Sequence, residues 1–179
     1  MSQHYKIFAI LLPLLLTISS CGFHWRKPLP LAAPLQNMYV QSRTPYNTLT
    51  RHIKQSLQAS GVHLAASPQQ ASTILNITQE VMAQDLLSVN SSQQTRQYNL
   101  RLTVTFEITD THGKTLIAPQ TLTELRPLTL QSNQILAGSN QAAQLYHDMQ
   151  RAITYNVMSR LASKGVSNAL LSQKAPTPP

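Results

Sequence analysis

Three kinds of side chain in this 179-residue sequence could do chemistry: histidines, a small set of carboxylates, and arginines. His24, His52, His63, His112 and His147 are scattered, with no spacing that would bring two imidazoles to one metal ion. His147 and Asp148 are adjacent, but neighbours on a helix point about 100° apart, so they make no dyad. Glu80 and Asp85 differ in parity and fall on opposite faces of a strand. No G-x-S-x-G, phosphate loop or H-E-x-x-H occurs. A nucleophile with its base, a carboxylate pair and a metal cluster are all missing, so a protein that is not an enzyme is expected, with no metal and no dissociable cofactor.

The arginines offer binding instead. Arg96-Gln97-Tyr98-Asn99-Leu100-Arg101 sets two guanidinium groups at the head of the most regular strand pattern in the chain. Arg126 lies on the next strand and is expected to reach the same polar face, with Lys114 in the turn between them. A guanidinium grips phosphate through two parallel hydrogen bonds and gives up its hydration more readily than an ammonium. Arg96, Arg101, Arg126 and Lys114 are therefore the candidates for a phosphorylated glycolipid, although each alone reads equally well as a solvated surface cation.

The sole cysteine carries a different chemistry. Met1 to Lys6 is a short basic lead, Ile7 onward is apolar, and Ser19-Ser20 stand just before Cys21. Basic, apolar and small-residue regions in that order make a secretory signal, and the apolar run is shorter than the ~20 residues of a membrane-spanning helix. Ile18-Ser19-Ser20-Cys21 resembles the bacterial lipobox, which implies that residues 1–20 are removed and Cys21 is left bearing diacylglyceryl and N-acyl chains. Two or more chains anchor a protein stably where one does not. The plainer alternative is an ordinary cleaved signal followed by an incidental cysteine. Gly22 stands where an Asp would commonly retain a lipoprotein in the inner membrane, so an outer-membrane location is expected.

Cleavage leaves 159 residues with 13 Lys and Arg against 6 Asp and Glu, a net charge of +7. That length suits one domain. No second cysteine is present, so no internal disulfide forms. The positive balance favours anionic partners, and export argues for anionic lipid or glycolipid over nucleic acid. Charged residues are only 11% of the chain, so most of its polarity is uncharged, as suits a surface covered by a partner.

The elements follow from periodicity. Residues 21–36, with Pro28, Pro30 and Pro34, read as an extended lipidated arm. Trp25 beside Arg26 and Lys27 sits either at the membrane interface or against the domain. Met38 to Gln41 is a short strand. Thr44-Pro45 starts a helix with Tyr46, Leu49, Ile53 and Leu57 on one face, and Gly61 closes it. Leu75, Ile77, Val81, Ala83 and Leu87 share parity along a strand, and Tyr98 to Ile108 alternates apolar and polar throughout. Lys114 to Gln131 returns as a strand that Pro119 and Pro127 make either an edge or two pieces. Ser139 caps a last helix with a stripe from Ala142 to Leu161, ended by Lys164-Gly165. Residues 37–165 thus form one α+β domain, a two-layer sandwich of two amphipathic helices on one face of a four-stranded, mainly antiparallel sheet. Residues 166–179 read as a disordered tail.

Several of these stretches resemble one family. Cys21-Gly22-Phe23-His24-Trp25-Arg26, Ser60-Gly61-Val62 at the helix end, Gln94 to Leu100 entering the long strand, and Leu145-Tyr146-His147-Asp148-Met149 in the last helix are similar to the LPS-assembly lipoprotein LptE family. The resemblance spans roughly residues 21–162. It implies a 1:1 complex with an LptD-type outer-membrane β-barrel, with this chain as plug and assembly factor, and a part in delivering lipopolysaccharide to the outer leaflet. Ala137-Gly138-Ser139 stands in the expected loop before the last helix without the basic residue that relatives carry there, which moves the expected ligand contacts to Arg96 and Arg101. The alternatives are a free-standing lipoprotein that binds anionic glycolipid or cell-wall polymer, and, disfavoured by the missing site, a lipoprotein enzyme.

Overall fold

A computed structural model of the chain describes residues 31–90, 95–131 and 135–174. The signal, Cys21 and the first ten residues of the lipidated arm lie outside the described residues. Five strands and three helices are formed: β1 (Asn37–Ser42), α1 (Thr48–Ala59), β2 (His63–Leu64), β3 (Thr73–Val89), β4 (Thr95–Thr109), β5 (Thr115–Gln131), α2 (Ile135–Leu161) and α3 (Lys164–Lys174).

The sheet runs β2-β1-β3-β4-β5. It has five strands where four were expected, because β2 is only two residues long and leaves no periodic trace in the sequence. Parallel pairing of β1 with β2 needs a crossover, which α1 supplies, and β1 also runs parallel to β3. The rest is an antiparallel meander, β3 against β4 and β4 against β5.

Alternation along β4 settles which face is covered. Leu100, Leu102, Val104, Phe106 and Ile108 are all buried, against Leu49, Ile53 and Leu57 of α1 and Met149, Ile153, Val157 and Leu161 of α2. Each such side chain removed from water contributes about 1.5–3 kcal/mol. The two expected helical stripes thus form one core with the expected strand.

Five further expectations change. The Thr44 start is displaced: the Asn47 side chain accepts the Thr50 amide at 2.8 Å, α1 begins at Thr48, and Tyr46 lies outside the stripe, 95% exposed. Gly61 does close the helix, with φ of +83°. The shared parity along β3 fails at a register shift between Ile77 and Gln79. One inserted residue exchanges the faces, so Glu80, Met82, Gln84 and Leu86 pair with the core-facing row of β4, and Val81 and Ala83 turn outward. The loop expected at Ala137-Gly138-Ser139 is instead the first turn of α2. Finally, the chain does not end its structure at 165. Lys164–Lys174 is helical, with Val166 and Leu170 buried in the core, and residues 175–179 lie outside the described residues. The domain also begins before residue 37, since Leu35 is fully buried and Leu31 packs on the core.

Candidate functional site

The face of the sheet opposite the helices is lined by hydroxyls and amides. Thr103 and Thr123 face each other across β4 and β5 at 3.3 Å, and Thr105 and Thr121 at 3.0 Å. Ser88 pairs with Gln97 at 3.0 Å, and the Asn76 amide donates to Glu107 at 3.0 Å. Arg101, on this face, forms an ion pair with Asp85 from β3, both half-exposed. The charges described there are therefore balanced or hydrogen-bonded locally, and what remains is a surface of low net charge, polar apart from the exposed Val81 and Leu125, which stand opposite Thr103 and Arg101.

The four candidate cations are not brought together. Arg101 is on the open face. Arg96 shares parity with Tyr98 and Leu100, so it leaves β4 on the helix side, and it is exposed. Arg126 lies opposite Leu100 and is also on the helix side, which corrects the expectation that it would reach the polar face with Arg101. Its guanidinium is held by Glu124 at 3.1 Å and by the Leu125 carbonyl at 2.8 Å, and Glu124 in turn accepts from Asn156 of α2 at 3.0 Å. Arg126 is thus tied to the helix layer. Lys114 is exposed in the β4–β5 turn, at the far end of β4 from Arg96, roughly 45 Å away along the strand. Among the described residues Arg96 and Lys114 have no ion-pair partner.

Two features escaped the sequence. The first is a groove where β1 stops and β3 runs on, lined by Ser42, Arg43, Thr44, Tyr46, Thr78 and Glu80 among others. Glu80 is its anchor: its carboxylate takes hydrogen bonds from Asn47 at the start of α1 and from Gln150 of α2 at 3.3 Å. Nothing in residue type sets Glu80 apart from the other polar residues of β3, so the sequence carried no signal for it. The second is a groove between α1 and α2 lined by His52, Ser56, Arg151, Tyr155 and Met158. Burial holds the His52 imidazole below its ordinary pKa, reinforced by the Arg51 and Arg151 charges and by His147. No group of three or more His, Cys, Asp or Glu side chains converges among the described residues, and no helix there is long and apolar enough to cross a membrane.

A five-stranded sheet with helices on one face and a surface of low net charge open on the other defines a two-layer, open-faced α+β domain. The chain belongs to the LptE family: the family model described as LptE, lipopolysaccharide-assembly, matches residues 35–161. A relative from Pectobacterium atrosepticum named LPS-assembly lipoprotein LptE is 26% identical over 183 residues, covering 98% of this chain and 97% of its own. One of the same name from Yersinia enterocolitica is 31% identical over 108 residues, 59% of this chain and 52% of its own. Among solved structures, lipoprotein B from Nitrosomonas europaea matches with a TM-score of 0.66 at 19% identity, over 86% of this chain and 97% of that one. A minor lipoprotein from Acinetobacter baumannii matches at 0.61 and 24%, over 74% and 93%. At those identities the likeness is one of fold. Membership makes this an LPS-assembly lipoprotein by family, with a role in lipopolysaccharide transport at the outer membrane.

Proposed function

We propose that this protein is the plug and assembly factor of an LptD-type outer-membrane β-barrel, held 1:1 in its lumen, anchored through lipid on Cys21, and that it helps deliver lipopolysaccharide to the outer leaflet. The observation that carries the reading is the open sheet face. Lumen walls of large barrels are polar, and a surface of paired threonine hydroxyls with its charges already balanced can be enclosed by such a wall without stranding an ion. Family membership supports the lipopolysaccharide side of the role. Arg96 and Lys114, which have no ion-pair partner among the described residues, are the first choices for phosphate contact, ahead of Arg101 and Arg126, which Asp85 and Glu124 already hold.

The test is to extract the full lipoprotein from its native membrane in mild detergent through a tag placed after Pro179. A tag replacing residues 170–179 would remove the buried Leu170. Co-purification of a β-barrel in equal amount supports the reading. A lipoprotein recovered alone with its fold intact overturns it in favour of the free-standing glycolipid binder.

A further inference from the structure

We infer that the free edge of β3, Gln79–Leu86, is the docking strand of this protein, and that it receives an extended, acid-flanked apolar segment of the barrel partner by strand addition. The inference rests on the proposed barrel complex and names the element that makes it.

On its outer side β3 is paired by β1 only from Thr73 to Ile77. Beyond that point no described strand lies beside it, and between the register shifts at Ile77/Gln79 and Leu86/Ser88 it keeps eight residues in continuous register with β4. Strand edges are usually disarmed by shortness, proline or charge. The other two edges of this sheet follow that rule: β2 is two residues long, and β5 carries Pro119 and Pro127. The free part of β3 has no proline, lysine or arginine, and its two carboxylates are engaged, Glu80 by Asn47 and Gln150 and Asp85 by Arg101. It also exposes apolar surface, with Val81, Met82, Leu86 and Leu87 each 42–58% exposed.

The direction of the free backbone groups is marked by Tyr146, whose hydroxyl crosses from α2 to donate to the Ala83 carbonyl at 2.8 Å. In an antiparallel ladder the amide and carbonyl of one residue point the same way and alternate residues point opposite ways. Val81, Ala83 and Asp85 therefore aim outward, and one added strand would pair with Val81, with Asp85 and with the Ala83 amide, the Ala83 carbonyl being held already by Tyr146.

Charge selects the occupant. Arg43 lines the groove at the near end of the slot and Arg96 pairs with Val89 beyond its far end, and neither has an ion-pair partner among the described residues. Two copies joined edge to edge about a two-fold axis would run antiparallel and bring Arg43 of one toward Arg96 of the other, a repulsive match. A segment with acidic flanks neutralises both ends. Wall strands of a closed barrel have no free edge to offer, so the segment is a loop or terminus folded into the lumen.

Hydrogen exchange on the detergent-extracted complex and on the lipoprotein alone tests this. Among the 79–86 amides, those of Val81, Ala83 and Asp85, which aim outward, should exchange at least about tenfold more slowly in the complex, as unpaired amides do on entering a ladder, while the alternate amides already paired with β4 change little. Val81→Pro, which removes one outward amide, should lower the co-purified barrel roughly tenfold while the unfolding transition persists. A barrel that co-purifies with the 79–86 amides unprotected overturns the inference and leaves the proposed function standing. Protection that appears in the lipoprotein alone, together with a dimer on sizing, also overturns it, in favour of a second copy. Failure to recover any barrel overturns both.

Discussion

Asn47 joins two jobs that are usually separate. Its carbonyl oxygen caps α1 by accepting the Thr50 amide, and its amide nitrogen donates to Glu80, which Gln150 also approaches from α2. One side chain thus links the helix start, the β3 strand where it leaves β1, and the second helix. Asn47→Ala should cost about 1–2 kcal/mol, a lost cap plus a half-satisfied carboxylate, read as a lower urea midpoint at unchanged slope. Asn47→Ser should recover the cap alone and fall between the two. Asp110 works in a similar way in the β4–β5 turn, where its carboxylate accepts the amides of Lys114 at 2.8 Å and His112 at 2.9 Å. The Lys114 amide above all draws its pKa below the ordinary 3.8; desolvation opposes this, and the His112 amide and the nearby His112 and Lys114 charges add to the lowering. A group depressed in the folded state stabilises above its unfolded pKa and loses that contribution as pH falls through the folded value. Asp110→Asn should therefore lower stability at neutral pH, and the gap to wild type should narrow as the pH falls below the ordinary carboxylate value of 3.8, in urea titrations run at both ends.

The element least visible in the sequence is α3. Its fourteen-residue surroundings, rich in Ser, Gln and Pro, have the composition of a tail, and Lys164-Gly165 resembles a helix stop. A side chain at position 165 would meet nothing closer than the Ser163 hydroxyl, 4.0 Å from its Cβ, so the glycine is not required there as a helix stop, and the Ser163 hydroxyl accepts the Val166 amide at 3.3 Å and begins a new helix. What holds α3 is tertiary: Val166 and Leu170, one turn apart, enter the core that β5 and α2 leave open at that end. Two apolar contacts in an eleven-residue segment give too short a period to read. Leu170→Ala should cost about 2–3 kcal/mol, near the low end for buried leucine, and lower the melting temperature by roughly 4–12 °C for a domain of this size. An unchanged melting curve would mean that α3 is not docked in solution. The same limit explains β3. Alternation was legible on β4, where pairing is regular from Thr95 to Phe106, but a bulge at Ile77/Gln79 reverses the faces without any mark in residue type. The arginine set failed for a related reason: Arg96 and Arg101 differ in parity, and only the register shows that Arg126 stands opposite Leu100.

At the scale of the whole molecule the two layers present opposite electrostatic characters. The helix side exposes Arg51, Arg160 and Arg151, the last paired with Asp148, together with Arg96, which has no ion-pair partner among the described residues, and the sheet side exposes mainly hydroxyls and amides with Arg101 balanced by Asp85. A net charge of +8 on the full chain is therefore unevenly placed. In the proposed complex the sheet side is the one that meets the lumen wall, and the helix side faces the anionic ligand. Placing bare charge on each side in turn separates these assignments. Gln97→Glu with Thr123→Glu puts two carboxylates on the open face at positions that do not pair with each other. Gln58→Glu with Ser159→Glu puts the same charge on exposed positions of α1 and α2. Each pair should change unfolding by no more than about 1 kcal/mol, the ordinary range for surface positions. Enclosing an unpaired carboxylate against a wall costs far more than leaving it in water. The open-face pair should then lower barrel co-purification at least about tenfold and the helix-side pair should leave it unchanged. The reverse result would turn the protein over in its partner, with the helices against the wall and the threonine face toward the channel. Equal loss from both pairs would mean that the wall surrounds the domain on both sides.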